Sequence, residues 1–104
     1  MPRIKQLRSL LGAEPDDVFL HFALAMELTK AGQSAEALSH FDRVIELDPD
    51  YTAAYVQKAR ILIEMKQSDT ARQTITAGLE AARRKAEPHT AEKLEEMLQA
   101  LGDR

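Results

Sequence analysis

The chain has 104 residues, of which 44% are hydrophobic and 30% charged, so it is long enough for one shared core but too short for separate catalytic and binding lobes. A formal net charge of -3 gives no general attraction for polyanions and sets nucleic acid aside. The absence of cysteine removes disulfides, thiolate metal ligands and cysteine nucleophiles, and suits a reducing compartment. No apolar run is long enough for a signal peptide or a membrane span, so the expected location is cytoplasmic and no membrane partner is expected.

Residues 3–13 place Leu7, Leu10 and Leu11 at helical spacing and predict a first helix. After Pro15, Asp16 or Asp17 can accept hydrogen bonds from the free amides of a second helix. Leu20, Leu24 and Leu28 form its i, i+4, i+8 stripe, and Gly32 can take the left-handed conformation that ends it. Ser34 is the expected cap of a third helix, with Ala37, Leu38, Phe41 and Ile45 on its inward face, stopped by Asp48 and Pro49. A second hairpin, residues 50–86, starts near Thr52 with Tyr55, Ala59 and Leu62 in one helix. Ser68 is the expected cap of the next, which carries Ala71, Ile75, Leu79 and Ala82.

Three details of this second hairpin depart from the first. Lys66 stands where the first has Gly32, so the turn either strains a residue with a Cβ or uses another cap. Lys58 replaces the apolar residue matching Leu24 and can lay its methylenes along the core. Gly78 lies inside a helix at a cost of roughly 1 kcal/mol relative to alanine, which reads as close approach of another helix. The basic run Arg83, Arg84 and Lys85 complements exposed carbonyls at a helix end, with Glu80 able to pair with Arg84. After Pro88, residues 88–102 predict a last helix with Leu94, Met97, Leu98 and Leu101 inward.

Pro15 and Pro49 are thirty-four residues apart, and Ala25, Leu28 and Ala37 recur in register as Ala59, Leu62 and Ala71. This period, with small residues at two fixed offsets and a closing proline, resembles the tetratricopeptide repeat. The resemblance implies an all-α fold, antiparallel helix-turn-helix repeats stacked as a short right-handed α-solenoid of about six helices. Residues 16–49 and 50–86 are then the two repeats of a single domain, 1–104. Residues 3–13 are an orphan second helix. Residues 88–102 are an orphan first helix, in which Leu98 takes the slot of Ala25 and Ala59 if Pro88 is a closing proline.

The resemblance further implies a protein-interaction scaffold whose concave face is lined by the first helix of each repeat. The matching offsets are Phe19, Phe22, Met26 and Lys30, then Ala53, Val56, Arg60, Ile63 and Glu64, then Glu92, Glu95 and Gln99. Phe19 and Phe22 flank the leucine stripe and are candidate exposed anchors, unless the first helix covers one of them. The family variant that grips acidic chaperone tails uses lysine and asparagine where this chain has Phe22, Met26 and Gln57. A segment with apolar anchors and a basic end suits the expected floor better. His21, His40 and His89 are scattered, with no metal spacing and no phosphate loop, so neither catalysis nor a cofactor is expected. His21 occupies the place of Tyr55 and should be packed, whereas His40 should face solvent. The alternative is homo-oligomerisation, for instance a homodimer through Leu7, Leu10, Leu11 and Leu98, or a structural spacer.

Overall fold

A computed structural model describes residues 2–102. Six helices follow in order: α1 Pro2–Ala13, α2 Val18–Lys30, α3 Ser34–Leu47, α4 Thr52–Glu64, α5 Ser68–Arg84 and α6 Pro88–Gly102, with no strand among the described residues. The sequence reading expects one domain. The contacts gather into two compact units, divided between Asp48 and Pro49.

In the first unit α2 packs against both α1 and α3. Ile4, Leu7 and Leu11 of α1 are buried, as are Leu24 and Leu28 of α2 and Phe41 and Val44 of α3. Ala25 and Ala37 are fully buried. Larger side chains in such places would push paired helices beyond the usual 8–10 Å between axes. Asp17 is the N-cap of α2, its carboxylate accepting from the Leu20 amide at 2.9 Å. Ser34 is the first residue of α3 and not its cap; Gln33 holds that place without a side-chain bond, and Gln67 does the same for α5 ahead of Ser68.

In the second unit α5 packs against both α4 and α6, and α4 touches α6 over a smaller area. Ala59, Leu62, Ala71, Ile75, Leu79, Leu94 and Leu101 are buried in it. A Cβ added to Gly78 of α5 would lie 2.8 Å from Tyr55 Cβ and 3.1 Å from Leu94 Cδ1, so this glycine lets α4 and α6 both approach. Arg72 reaches across from α5 and donates to the Leu101 carbonyl at 2.7 Å, satisfying an acceptor at the end of α6.

Three of the five interhelical turns share one solution. Gly32, Lys66 and Ala86 all have positive φ, at 78°, 61° and 55°. Each following amide bonds back to the carbonyl five positions earlier: Gln33 to Leu28, Gln67 to Leu62 and Glu87 to Ala82, each at 2.9 Å. This is the Schellman pattern, and two of its three left-handed positions carry a Cβ. The strained option raised for Lys66 is the one adopted.

Arg84 departs from its expected pairing with Glu80. Its guanidinium donates to Asp50 at 2.8 Å, and Arg43 makes the matching bond to Asp16 at 2.7 Å in the first unit. Because Asp16 and Asp50 each follow a repeat proline, both units use an arginine from a later helix to hold the loop at their helix entrance.

Candidate functional site

The start of α6 decides which residues it turns toward α4. Val18 and Thr52 each begin a helix three residues after a proline, but Pro88 is itself the first residue of α6. A proline is well placed there, because the amide it lacks would have no helical partner. By helix start, His89, Glu92 and Glu96 therefore match Ala53, Val56 and Arg60, and Glu95 falls in the slot of Ala59. Leu98 does not occupy that slot, contrary to the expectation, because α6 begins three residues early.

Two adjoining open pockets lie between α4 and α6. One, of about 300 Å³, is lined by Thr52, Ala53, Val56, Gln57 and Arg60 with His89, Thr90 and Lys93. The other, of about 440 Å³, is lined by Arg60, Ile63 and Glu64 with Lys93, Glu96 and Met97. Arg60 and Lys93 belong to both. They are exposed, and neither makes a hydrogen bond or ion pair among the described residues. Val56 is buried and forms floor, so it offers a contact only at the bottom of the first pocket. Ile63 is half-buried and Glu64 exposed. No carboxylate lines the first pocket, whereas Glu64 and Glu96 both line the second.

Glu92 and Glu95 are exposed on α6 and line neither pocket, nor does Gln99. His89, Thr90, Lys93, Glu96 and Met97 take their place, residues the sequence reading did not select. The signal that could have found them is the proline rule itself, since a proline can open a helix as well as precede one.

The other candidates belong to α2, in the first unit. Phe19 is 68% exposed. Phe22 is half-buried and packs edge-on against Phe41, with ring centroids 5.7 Å apart, so it is partly committed to the interior. Met26 is half-buried, and Lys30 is exposed with its ammonium 3.5 Å from Glu27.

A polar chain also crosses this unit. His21 Nε2 donates to the Pro15 carbonyl at 2.7 Å, the same bond that Tyr55 Oη makes to the Pro49 carbonyl at 2.6 Å. A neutral His21 then presents a bare Nδ1, so the proton in the 3.0 Å contact with His40 Nδ1 belongs to His40. His40 does not simply face solvent. Burial, then the neighbouring His21, hold its pKa below the ordinary histidine value, against the opposing pull of Glu36. Glu36 is itself held low, chiefly by the hydrogen bond from Arg8 of α1. Among the described residues no group of three or more histidine or carboxylate side chains could hold a metal ion.

Hsp70-Hsp90 organizing protein 3 of Arabidopsis thaliana is 34% identical over 76 residues, covering 73% of this chain and 14% of that protein. The chain thus spans a small part of that relative's length. A tetratricopeptide repeat domain protein from Salinibacter ruber, solved in solution, superposes with a TM-score of 0.78 at 29% identity, over 84% of this chain and 88% of that one. The TPR2B domain of yeast Sti1, in its pHsp70 complex, gives a TM-score of 0.87 at 22% identity, over 96% of this chain and 80% of that one, a likeness of fold. The tetratricopeptide repeat profile matches residues 28–94, well over half of the sequence. With its all-α succession of helical hairpins, the chain belongs to the tetratricopeptide repeat family.

Proposed function

We propose that this chain is a protein-interaction module, and that the groove between α4 and α6 seats a segment of a partner protein. The observation that carries this reading is the pair Arg60 and Lys93, two cations without partners among the described residues, which line the same groove as the apolar Ala53, Val56, Ile63 and Met97. A carboxylate of the segment meets the cations while an apolar neighbour enters the floor. One buried aliphatic side chain contributes roughly 1.5–3 kcal/mol and one charge-assisted hydrogen bond about 1.5–3 kcal/mol. After ordering costs, a few such contacts give about micromolar affinity.

Kinship with an Hsp70-Hsp90 organizing protein supports protein binding as the general role. Phe22, Met26 and Gln57 still stand where the acidic-tail clamp uses lysine and asparagine, so the reading is a general segment-binding groove and not that clamp. Glu92 and Glu95 serve as outer rim residues. Phe19, Met26 and Lys30 of α2 offer a separate contact surface on the first unit. No catalytic role or cofactor is part of this reading.

The test is a peptide array probed with the wild type and with Arg60→Glu plus Lys93→Glu. Both residues are exposed and unpaired among the described residues, so the variant should fold. Spots combining Leu, Ile or Met with Asp or Glu should bind the wild type and disappear with the variant. An unchanged spot pattern refutes the groove. A second reading, self-association through the first unit, is favoured by the exposure of Leu10 and Phe19, and a monomer across a sedimentation concentration series would exclude it.

A further inference from the structure

The α4/α6 groove carries its charges in two rows. Arg60 and Lys93 form a cationic row shared by both pockets, and Glu64 and Glu96 form an anionic row confined to the second. Arg60 and Glu64 are four residues apart on α4, and Lys93 and Glu96 three apart on α6, spacings at which opposite charges on a helix commonly pair. No such pairing is made here, and none of the four side chains has a hydrogen bond or ion pair among the described residues. Two rows of opposite sign, each left with its valence unused, complement a ligand of mixed charge.

We propose that this groove recognises extended segments in which an acidic and a basic residue stand two positions apart, the acid at Arg60 and Lys93 and the base at Glu64 and Glu96. The proposal rests on the groove reading above and adds its selectivity. Four helical residues on α4 rise about 6 Å and three on α6 about 4.5 Å. Two residues of extended chain span about 6.6 Å, and alternate side chains share a face. An acid and a base two positions apart therefore point into the groove together and meet one row each. An apolar side chain two positions farther out on the acid's side reaches Val56, four residues from Arg60 on α4, while Ile63 and Met97 flank the base beside the anionic row. A doubly acidic segment would satisfy the cations but set its second carboxylate against Glu64 and Glu96. A doubly basic one would meet the reverse clash. Discrimination thus comes as much from repulsion as from attraction.

The experiment uses five capped, fluorescently labelled peptides: LADAKAL, its reverse LAKADAL, LADADAL, LAKAKAL and the neutral LAQAQAL. Binding is read by anisotropy at low salt and located by amide chemical shifts on the full chain. One mixed-charge peptide or both should bind about tenfold more tightly than either like-charged peptide, and the preference should shrink in 0.5 M salt. The variant Glu64→Lys plus Glu96→Lys, which alters only exposed side chains, should reverse the order so that LADADAL binds best. If LADADAL binds the wild type as tightly as the mixed peptides while shifts still map to α4 and α6, the charge selectivity is wrong and the groove stands. If no peptide, the neutral one included, shifts α4 or α6 amides at millimolar concentration, the groove reading fails and this proposal with it.

Discussion

Replacing Gly78 by alanine sets two known effects against each other, and the geometry decides the sign. Alanine in a helix interior is favoured over glycine by about 1 kcal/mol, so propensity alone predicts a more stable protein. The new methyl carbon, however, would sit 2.8 Å from Tyr55 Cβ and 3.2 Å from Tyr55 Cγ. Ordinary carbon contacts are about 3.5–4.0 Å, so α4 and α5 must part by several tenths of an ångström. Tyr55 cannot swing away easily. Its Cβ is fixed to the α4 backbone and its hydroxyl is held by the Pro49 carbonyl at 2.6 Å. Overpacking of this kind costs about 1–3 kcal/mol, leaving a net loss near 1 kcal/mol and a fall in Tm of about 4–8 °C. Gly12→Ala is the control, because nothing lies within 4 Å of its added Cβ and propensity acts alone. Thermal and urea melts of both variants by circular dichroism test the argument. A Gly78→Ala protein at least as stable as the wild type would refute it, showing that the helices separate at little cost.

The other predictions are smaller in scope. Lys66→Gly and Ala86→Gly should each stabilise the chain by about 0.5–1 kcal/mol, because each relieves a left-handed residue with a Cβ; urea midpoints measure it. The pKa of His40 lies below its ordinary value of about 6.5, so its contribution to stability is fully present above that pH and is lost as pH falls through the lower folded value. Tm should therefore drop between pH 7.5 and 5.5, and less steeply in His40→Gln. Phe41→Ala, at a fully buried position, should cost about 3–5 kcal/mol, whereas Phe19→Ser should change stability by less than about 0.5 kcal/mol, read in the same urea titrations.

What the residues disclose in advance follows how local each cause is. The small positions Ala25, Ala37, Ala59 and Ala71 recur at a fixed period because close helix pairing repeats its steric demand, and all four are fully buried. Gly78 was legible for the same reason, as a helix interior tolerates glycine where something crowds it. The groove was only half legible. Arg60, Ile63 and Glu64 come from the family resemblance, but Lys93 and Glu96 depend on where α6 begins, and a proline is compatible with closing a loop or opening a helix. His40 was misplaced because its partner, His21, lies on another helix, and no periodicity along α3 encodes that neighbour. Phe22 was ambiguous for a related reason, since its edge contact with Phe41 is a tertiary choice between two flanks of α2.

The early start of α6 has a wider meaning. Thr52 and Pro88 open their helices thirty-six residues apart, against thirty-four between Val18 and Thr52, and the difference falls within the hairpin that includes the long α5. Each residue by which a helix start moves along the sequence changes the face on which a given side chain falls by about 100°. Small insertions and deletions ahead of a helix thus work as a dial on ligand preference, exchanging which of its side chains line a groove without any substitution in the helix itself.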